Sequence, residues 1–116
     1  MGDNVIEKKS AEFALRILKM DQYLQKEKHE YVLSKQVLRS GTSIGANVAE
    51  AQRGQTRADF HTKMCVAQKE AAETKYWLKL LYEGGFLTHR EYVSISADAE
   101  DLLNILAAIC KKTRIK

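Results

Sequence analysis

The chain has no proline at all, and only six glycines among its 116 residues. Proline breaks helix interiors and glycine loosens them, so their scarcity leaves long helices unobstructed and argues against a fold of irregular loops. Cysteine is nearly absent as well. Cys65 and Cys110 both fall in helical patterns and read as small apolar packing residues rather than as a disulfide framework. No apolar run approaches the ~20 residues that span a bilayer, and the first residues lack the apolar stretch of a signal peptide. The expected setting is the cytoplasm, without membrane contact. Charge of one sign is in small excess only: 19 lysines and arginines stand against 15 acids, a formal net charge of +4. The length suits one domain, residues 1–116, with enough chain to bury a core.

What the chain does have is helical periodicity. Ile6, Phe13, Ile17, Met20 and Leu24 form one seam, widened by Ala14 and Leu18, behind an N-cap expected at Asn4 with Glu7 three residues on. Lys26–Glu30 is a polar connection that no glycine marks. A second helix is expected to run from Glu30 to Arg53, with Gly54 in a left-handed terminal position. Thr56 and Asp59 open a third, whose seam of Phe60, Met64, Ala67, Ala71, Thr74, Leu78 and Leu81 runs in unbroken steps of four and three to Gly84-Gly85. Thr88 and Glu91 form a capping box for the fourth, with its seam at Tyr92, Ile95, Ala99, Leu102, Leu106 and Ile109. Helices over about 4–26, 30–53, 57–83 and 89–112, joined by short connections, predict an all-α, antiparallel up-down-up-down four-helix bundle.

Residues 33–51 decide this reading. Ser40-Gly41-Thr42-Ser43 and Gly45 look locally like a break, yet Leu33, Val37, Ser40, Ile44, Asn47 and Ala51 keep helical spacing. The spacing predicts one continuous helix, with Gly41 and Gly45 letting a neighbour approach closely. The run Ser43-Ile44-Gly45-Ala46-Asn47-Val48-Ala49-Glu50-Ala51, together with Phe60 and Lys69–Leu78, resembles the four-helix-bundle proteins encoded within intervening sequences of bacterial 23S ribosomal RNA genes. The accessory proteins of diversity-generating retroelements are similar to the same group. The resemblance implies the bundle and an assembly into closed rings, usually pentamers; it implies no defined biochemical role. On the third helix Val66, Trp77 and Leu80 flank the main seam. The residues alone fit either the protomer's own core or a subunit interface, and the resemblance favours the interface.

Few constellations suggest catalysis. Gly41–Gly45 is not a phosphate loop, because Ala46-Asn47 follows the second glycine where lysine and a hydroxyl residue are needed, and no strand precedes it. Asn47 and Glu50 lie three apart. A buried asparagine needs its amide satisfied, by a neighbouring helix or by Glu70 or Glu73, or else by a ligand. Arg39, Arg53 or Arg57 could pair with these acids and make the set structural. Glu70, Glu73, Asp98 and Asp101 form two acid pairs of the kind with which helical nucleotide pyrophosphohydrolases hold Mg²⁺, so a hydrolase is one alternative. His29, His61 and His89 lack the glutamate three residues earlier that a di-iron bundle requires, and His61 with Cys65 makes only half a transition-metal site. No metal, cofactor or small-molecule substrate is expected.

Lys111, Lys112, Arg114 and Lys116 crowd the C-terminus. One such tail matches the negative end of a helix dipole. A ring of five would multiply +4 into about +20, enough to hold a polyanion by counterion release. The leading expectation is therefore a non-enzymatic, ring-forming bundle that binds RNA or another nucleic acid, or a nucleic-acid-processing partner. A pure protein-interaction module is the third alternative.

Overall fold

A computed structural model describes residues 4–114. Its four helices are α1 (Asn4–Lys28), α2 (Leu33–Ala51), α3 (Arg57–Glu83) and α4 (His89–Thr113). Each packs on its neighbours in sequence, α1 closes against α4, and α1 and α3 lie diagonally opposite. The result is the up-down-up-down bundle, 46 × 21 × 20 Å. α1 and α4 make the loosest of the four contacts.

The caps at the third and fourth helices are as expected. Thr56 Oγ1 accepts from Asp59 N–H at 3.0 Å, and Thr88 and Glu91 form a reciprocal capping box. α3 ends in a Schellman motif, with Gly85 N–H donating to the Tyr82 carbonyl and Phe86 N–H to that of Leu81. Gly85 takes φ 88°, which a side chain would strain.

Three termini differ from expectation. Asn4 is already helical, so it is not the cap of α1. Gly54 does not adopt a left-handed conformation; α2 closes through bonds such as Gly54 N–H to the Ala51 carbonyl, and the first turn of α3 approaches Gly54 closely. Most informative is the first connection. α2 begins at Leu33, three residues after the expected start, because Glu30 caps the helix from outside. Its carboxylate accepts from the backbone N–H groups of Val32, Leu33 and Ser34, at 3.2, 2.9 and 2.7 Å. A negative group there also matches the positive end of the helix. Glu30 is buried while doing so, and His29 before it takes φ 53°, the position a glycine would ordinarily fill.

The core follows the seams with local exchanges. On α2 the buried residues are Ser34, Val37, Ser40, Gly41, Ile44, Val48 and Ala51, so Ser34 and Val48 take the places expected of Leu33 and Asn47. On α1, Ser10 joins the core, while Leu18 is left 41% exposed. α2 is uninterrupted through Ser40–Gly45. α1 passes so close that a Cβ on Gly41 would stand 2.8 Å from Ile17 Cγ1, and one on Gly45 would stand 3.3 Å from the Ser10 carbonyl oxygen. Among the described residues every buried side-chain polar atom has a hydrogen-bond partner.

Candidate nucleic-acid interface

An antiparallel bundle gathers alternate helix ends. The C-termini of α2 and α4 and the N-termini of α1 and α3 share one end. The tail cations Lys111, Lys112 and Arg114 are exposed there, and Arg57 joins them by donating from Nη2 to the Lys112 carbonyl at 3.2 Å. Arg53 lies exposed at the same end, in the turn between α2 and α3. Among the described residues none of these five cations takes part in an ion pair; Lys8, Lys19, Lys26, Lys28, Lys35, Lys69 and Arg90 are also unpaired but lie scattered in the chain, and Lys9, Arg16, Arg39, Lys63, Lys75 and Lys79 are paired. Lys116 lies outside the described residues. The sequence run marks only the tail; topology adds Arg53 and Arg57, since the second connection must sit at the end where α4 finishes.

The polar cluster around Glu70 and Glu73 lies along the α2–α3 contact. Arg39 Nη1 reaches Glu70 Oε1 at 3.3 Å, and Nη2 pairs with Glu73. Trp77 Nε1 donates to Glu73 Oε2 at 2.9 Å. These two donors, Trp77 first, hold the Glu73 carboxyl below its ordinary range, and Glu73 in turn raises the Arg39 guanidinium. Asn47 and Glu50 do not join the cluster. Asn47 is half-buried and bonds its own helix through the Ser43 carbonyl at 2.9 Å, while Glu50 is exposed and pairs with Lys63 at 2.8 Å.

Glu70, Glu73, Asp98 and Asp101 do not converge on one site. Asp98 pairs with Arg16 at 2.6 Å and Asp101 with Lys9 at 2.7 Å, both across to α1, whereas Glu70 and Glu73 are tied to α2. Each acid pair therefore faces the opposite neighbour and meets a cation. Among the described residues no three His, Cys, Asp or Glu side chains are grouped to hold a metal ion. Of the flank residues on α3, Trp77 packs against the core, while half-buried Val66 and Leu80 stand outside that packing layer. Tyr76 meets Trp77 edge-on, with ring centroids 5.0 Å apart, and is 56% exposed.

The model of the 23S rRNA-intervening sequence protein family matches residues 2–108. The chain belongs to that family. A crystal structure of an S23 ribosomal protein family member from Bacteroides thetaiotaomicron VPI-5482, itself of unknown function, superimposes with a TM-score of 0.91 at 48% identity, covering 92% of this chain and 99% of that one. No curated protein matches the chain. Membership agrees with the bundle and with a continuous helix through Ser40–Gly45. No helix among the described residues is long and apolar enough to cross a membrane.

Proposed function

We propose that this family member acts without catalysis, assembles with copies of itself into a ring, and binds RNA or another nucleic acid through phosphate contacts at its basic end. The observation that carries the reading is the group of five exposed cations, Arg53, Arg57, Lys111, Lys112 and Arg114, gathered at one end of the bundle and, among the described residues, in no ion pair. Cations left free of internal acids are available to displace condensed counterions, which supplies affinity without reading bases. A cytoplasmic setting fits that partner and the two free thiols.

Self-assembly is supported by the placement of exposed apolar groups. Leu15 and Leu18, 59% and 41% exposed, lie one turn apart on α1, and Tyr76 with Val66 and Leu80 lies on α3. A head-to-tail ring needs two different patches, and helices on opposite sides of the protomer provide them. What favours a non-enzymatic role is the engagement of Glu70, Glu73, Asp98 and Asp101 by separate cations.

The deciding experiment is a gel-shift titration with structured RNA at rising salt, alongside the triple variant Arg57→Gln, Lys111→Gln and Lys112→Gln. The wild type shifts RNA at low salt and releases it steeply as salt rises. The salt slope per protomer falls by about one for each phosphate contact removed. Absence of any shift at low salt overturns the proposal.

A further inference from the structure

Antiparallel registry along the α3–α4 contact brings the two cysteines face to face. Lys75 pairs with Glu100, and His61 Nδ1 lies 2.8 Å from Thr113 Oγ1. Cys65 sits ten residues before Lys75 and Cys110 ten residues after Glu100, so the same registry sets the two cysteines opposite each other. Cys110 belongs to the buried core and Cys65 packs against it. Both are free thiols; Cys110 is 7% exposed, and Cys65 is only half-buried.

The surrounding hydrogen bonds fix where the protons are. The Thr113 hydroxyl has one hydrogen and donates it to the Ile109 carbonyl, 2.8 Å away. Its oxygen therefore accepts from His61 Nδ1–H. A neutral imidazole carries a single N–H, which leaves Nε2 bare, 3.4 Å from Cys65 Sγ. The thiol thus meets a base whose far nitrogen is held by a third group, the arrangement of an activated nucleophile. This cluster takes no part in the nucleic-acid reading above and stands independently of it.

We infer that Cys65 and Cys110 form a peroxide-responsive dithiol, in which Cys65 is the attacking sulfur, His61 its proton acceptor and Cys110 the resolving thiol. His61 Nε2 takes the Cys65 proton as the sulfur attacks one peroxide oxygen. An S–O bond forms, the O–O bond breaks, and the departing hydroxide takes the proton from His61 and leaves as water. Cys65 is then a sulfenic acid, oxidised by two electrons while the peroxide is reduced by two. The Cys110 sulfur attacks that of Cys65, the S–S bond forms as the S–O bond breaks, and the Cys110 proton leaves with the hydroxyl as a second water. Cys110 is 7% exposed, whereas Cys65 is half-buried beside His61, so Cys65 is the thiol that meets the peroxide. The product staples the start of α3 to the end of α4.

The test treats the full chain with hydrogen peroxide, then denatures and alkylates it for intact-mass and peptide analysis. The expected result is a loss of two hydrogens, two protected thiols and a Cys65–Cys110 linked peptide. Cys110→Ser is expected to stop at a sulfenic acid on Cys65 that captures dimedone, and Cys65→Ser to leave Cys110 reduced. His61→Gln is expected to slow oxidation about tenfold, since an unassisted thiol is only a few per cent ionised at neutral pH. Where circular dichroism shows that His61→Gln has lost helix, Thr113→Val, which removes the group orienting the ring, supplies the same comparison. The inference is overturned if both thiols stay alkylatable under peroxide that oxidises free cysteine, or if oxidation in the folded histidine or threonine variant keeps the wild-type rate.

Discussion

Thr74 Oγ1 on α3 lies 2.9 Å from Ser40 Oγ on α2, with both side chains fully buried. This contact resolves why a serine occupies a core position of α2. The Thr74 hydroxyl also reaches the Glu70 carbonyl at 2.7 Å, while Ser40 has besides Thr74 only a 3.5 Å contact with the Val37 carbonyl. Thr74→Val should therefore cost about 1–3 kcal/mol, because it strands a buried hydroxyl. The double variant Ser40→Ala, Thr74→Val should lose less than the sum of the single changes. Urea denaturation in a double-mutant cycle measures this, and strict additivity would refute the coupling.

Gly41 and Gly45 should not tolerate alanine equally. A Cβ at Gly41 meets the branched, fully buried Ile17 side chain at 2.8 Å, whereas one at Gly45 meets the Ser10 carbonyl at 3.3 Å. Alanine gains about 1 kcal/mol of helix propensity at either site. Overpacking costs about 1–3 kcal/mol and is larger at Gly41. Gly41→Ala should be the more destabilising of the two in thermal or urea unfolding, and it should cost less in an Ile17→Ala background, which lacks both Cγ atoms that the new Cβ meets. Equal stabilities would show that α1 yields freely.

The stability contribution of Glu73 should have a defined acid limit. Its carboxyl is held below 4.5 by the Trp77 N–H first and Arg39 second. A depressed folded value stabilises the fold above the unfolded value and loses that contribution as pH falls through the folded one. The loss therefore belongs below about pH 4.5. Trp77→Phe and Arg39→Gln should each move the Glu73 midpoint up toward its ordinary value in an NMR titration. An unmoved midpoint in both would mean that neither donor acts on it.

The ring reading separates cleanly from a two-fold dimer. Light scattering of the wild type should give a mass several times 13.2 kDa. The paired change Leu15→Arg, Leu18→Arg should reduce it to the protomer, and so should Tyr76→Arg, because each spoils one of two unlike patches. An equimolar mixture of the two variants should then form one-to-one pairs through the patches left intact. A wild type that runs at protomer mass in dilute solution would end this reading.

Much of the fold was legible because each helix carries its own seam and most carry their own stops. α3 and α4 match the expected bounds to within a residue, since Thr56, Thr88 and Gly84-Gly85 act on chain neighbours. The second helix is shorter than its spacing predicts at both ends, for non-local reasons. Glu30 acts as a cap from three residues outside the helix, and Gly54 serves close packing by α3 rather than backbone conformation. Asn47 was placed in the seam by spacing alone; a rotation of one position puts Val48 there instead and lets the amide bond to Ser43. In the candidate site the tail cations were visible as a run, but Arg53 and Arg57 came from a different part of the chain.

Periodicity, the absence of proline and the capping residues are local properties, and they determined by themselves that this chain forms four long helices in antiparallel order. Which charges remain free was decided only by the tertiary structure. Arg39 and Arg57 look alike in sequence, yet one faces two carboxylates across α3 and the other faces a backbone carbonyl at the end of the bundle. Likewise His61 and Cys65 are neighbours by helical spacing, but Thr113 reaches His61, and the core holding Cys110 meets Cys65, only because α4 returns beside α3 in one register. Pairing depends on distances across helices, and those are set by how the seams pack together.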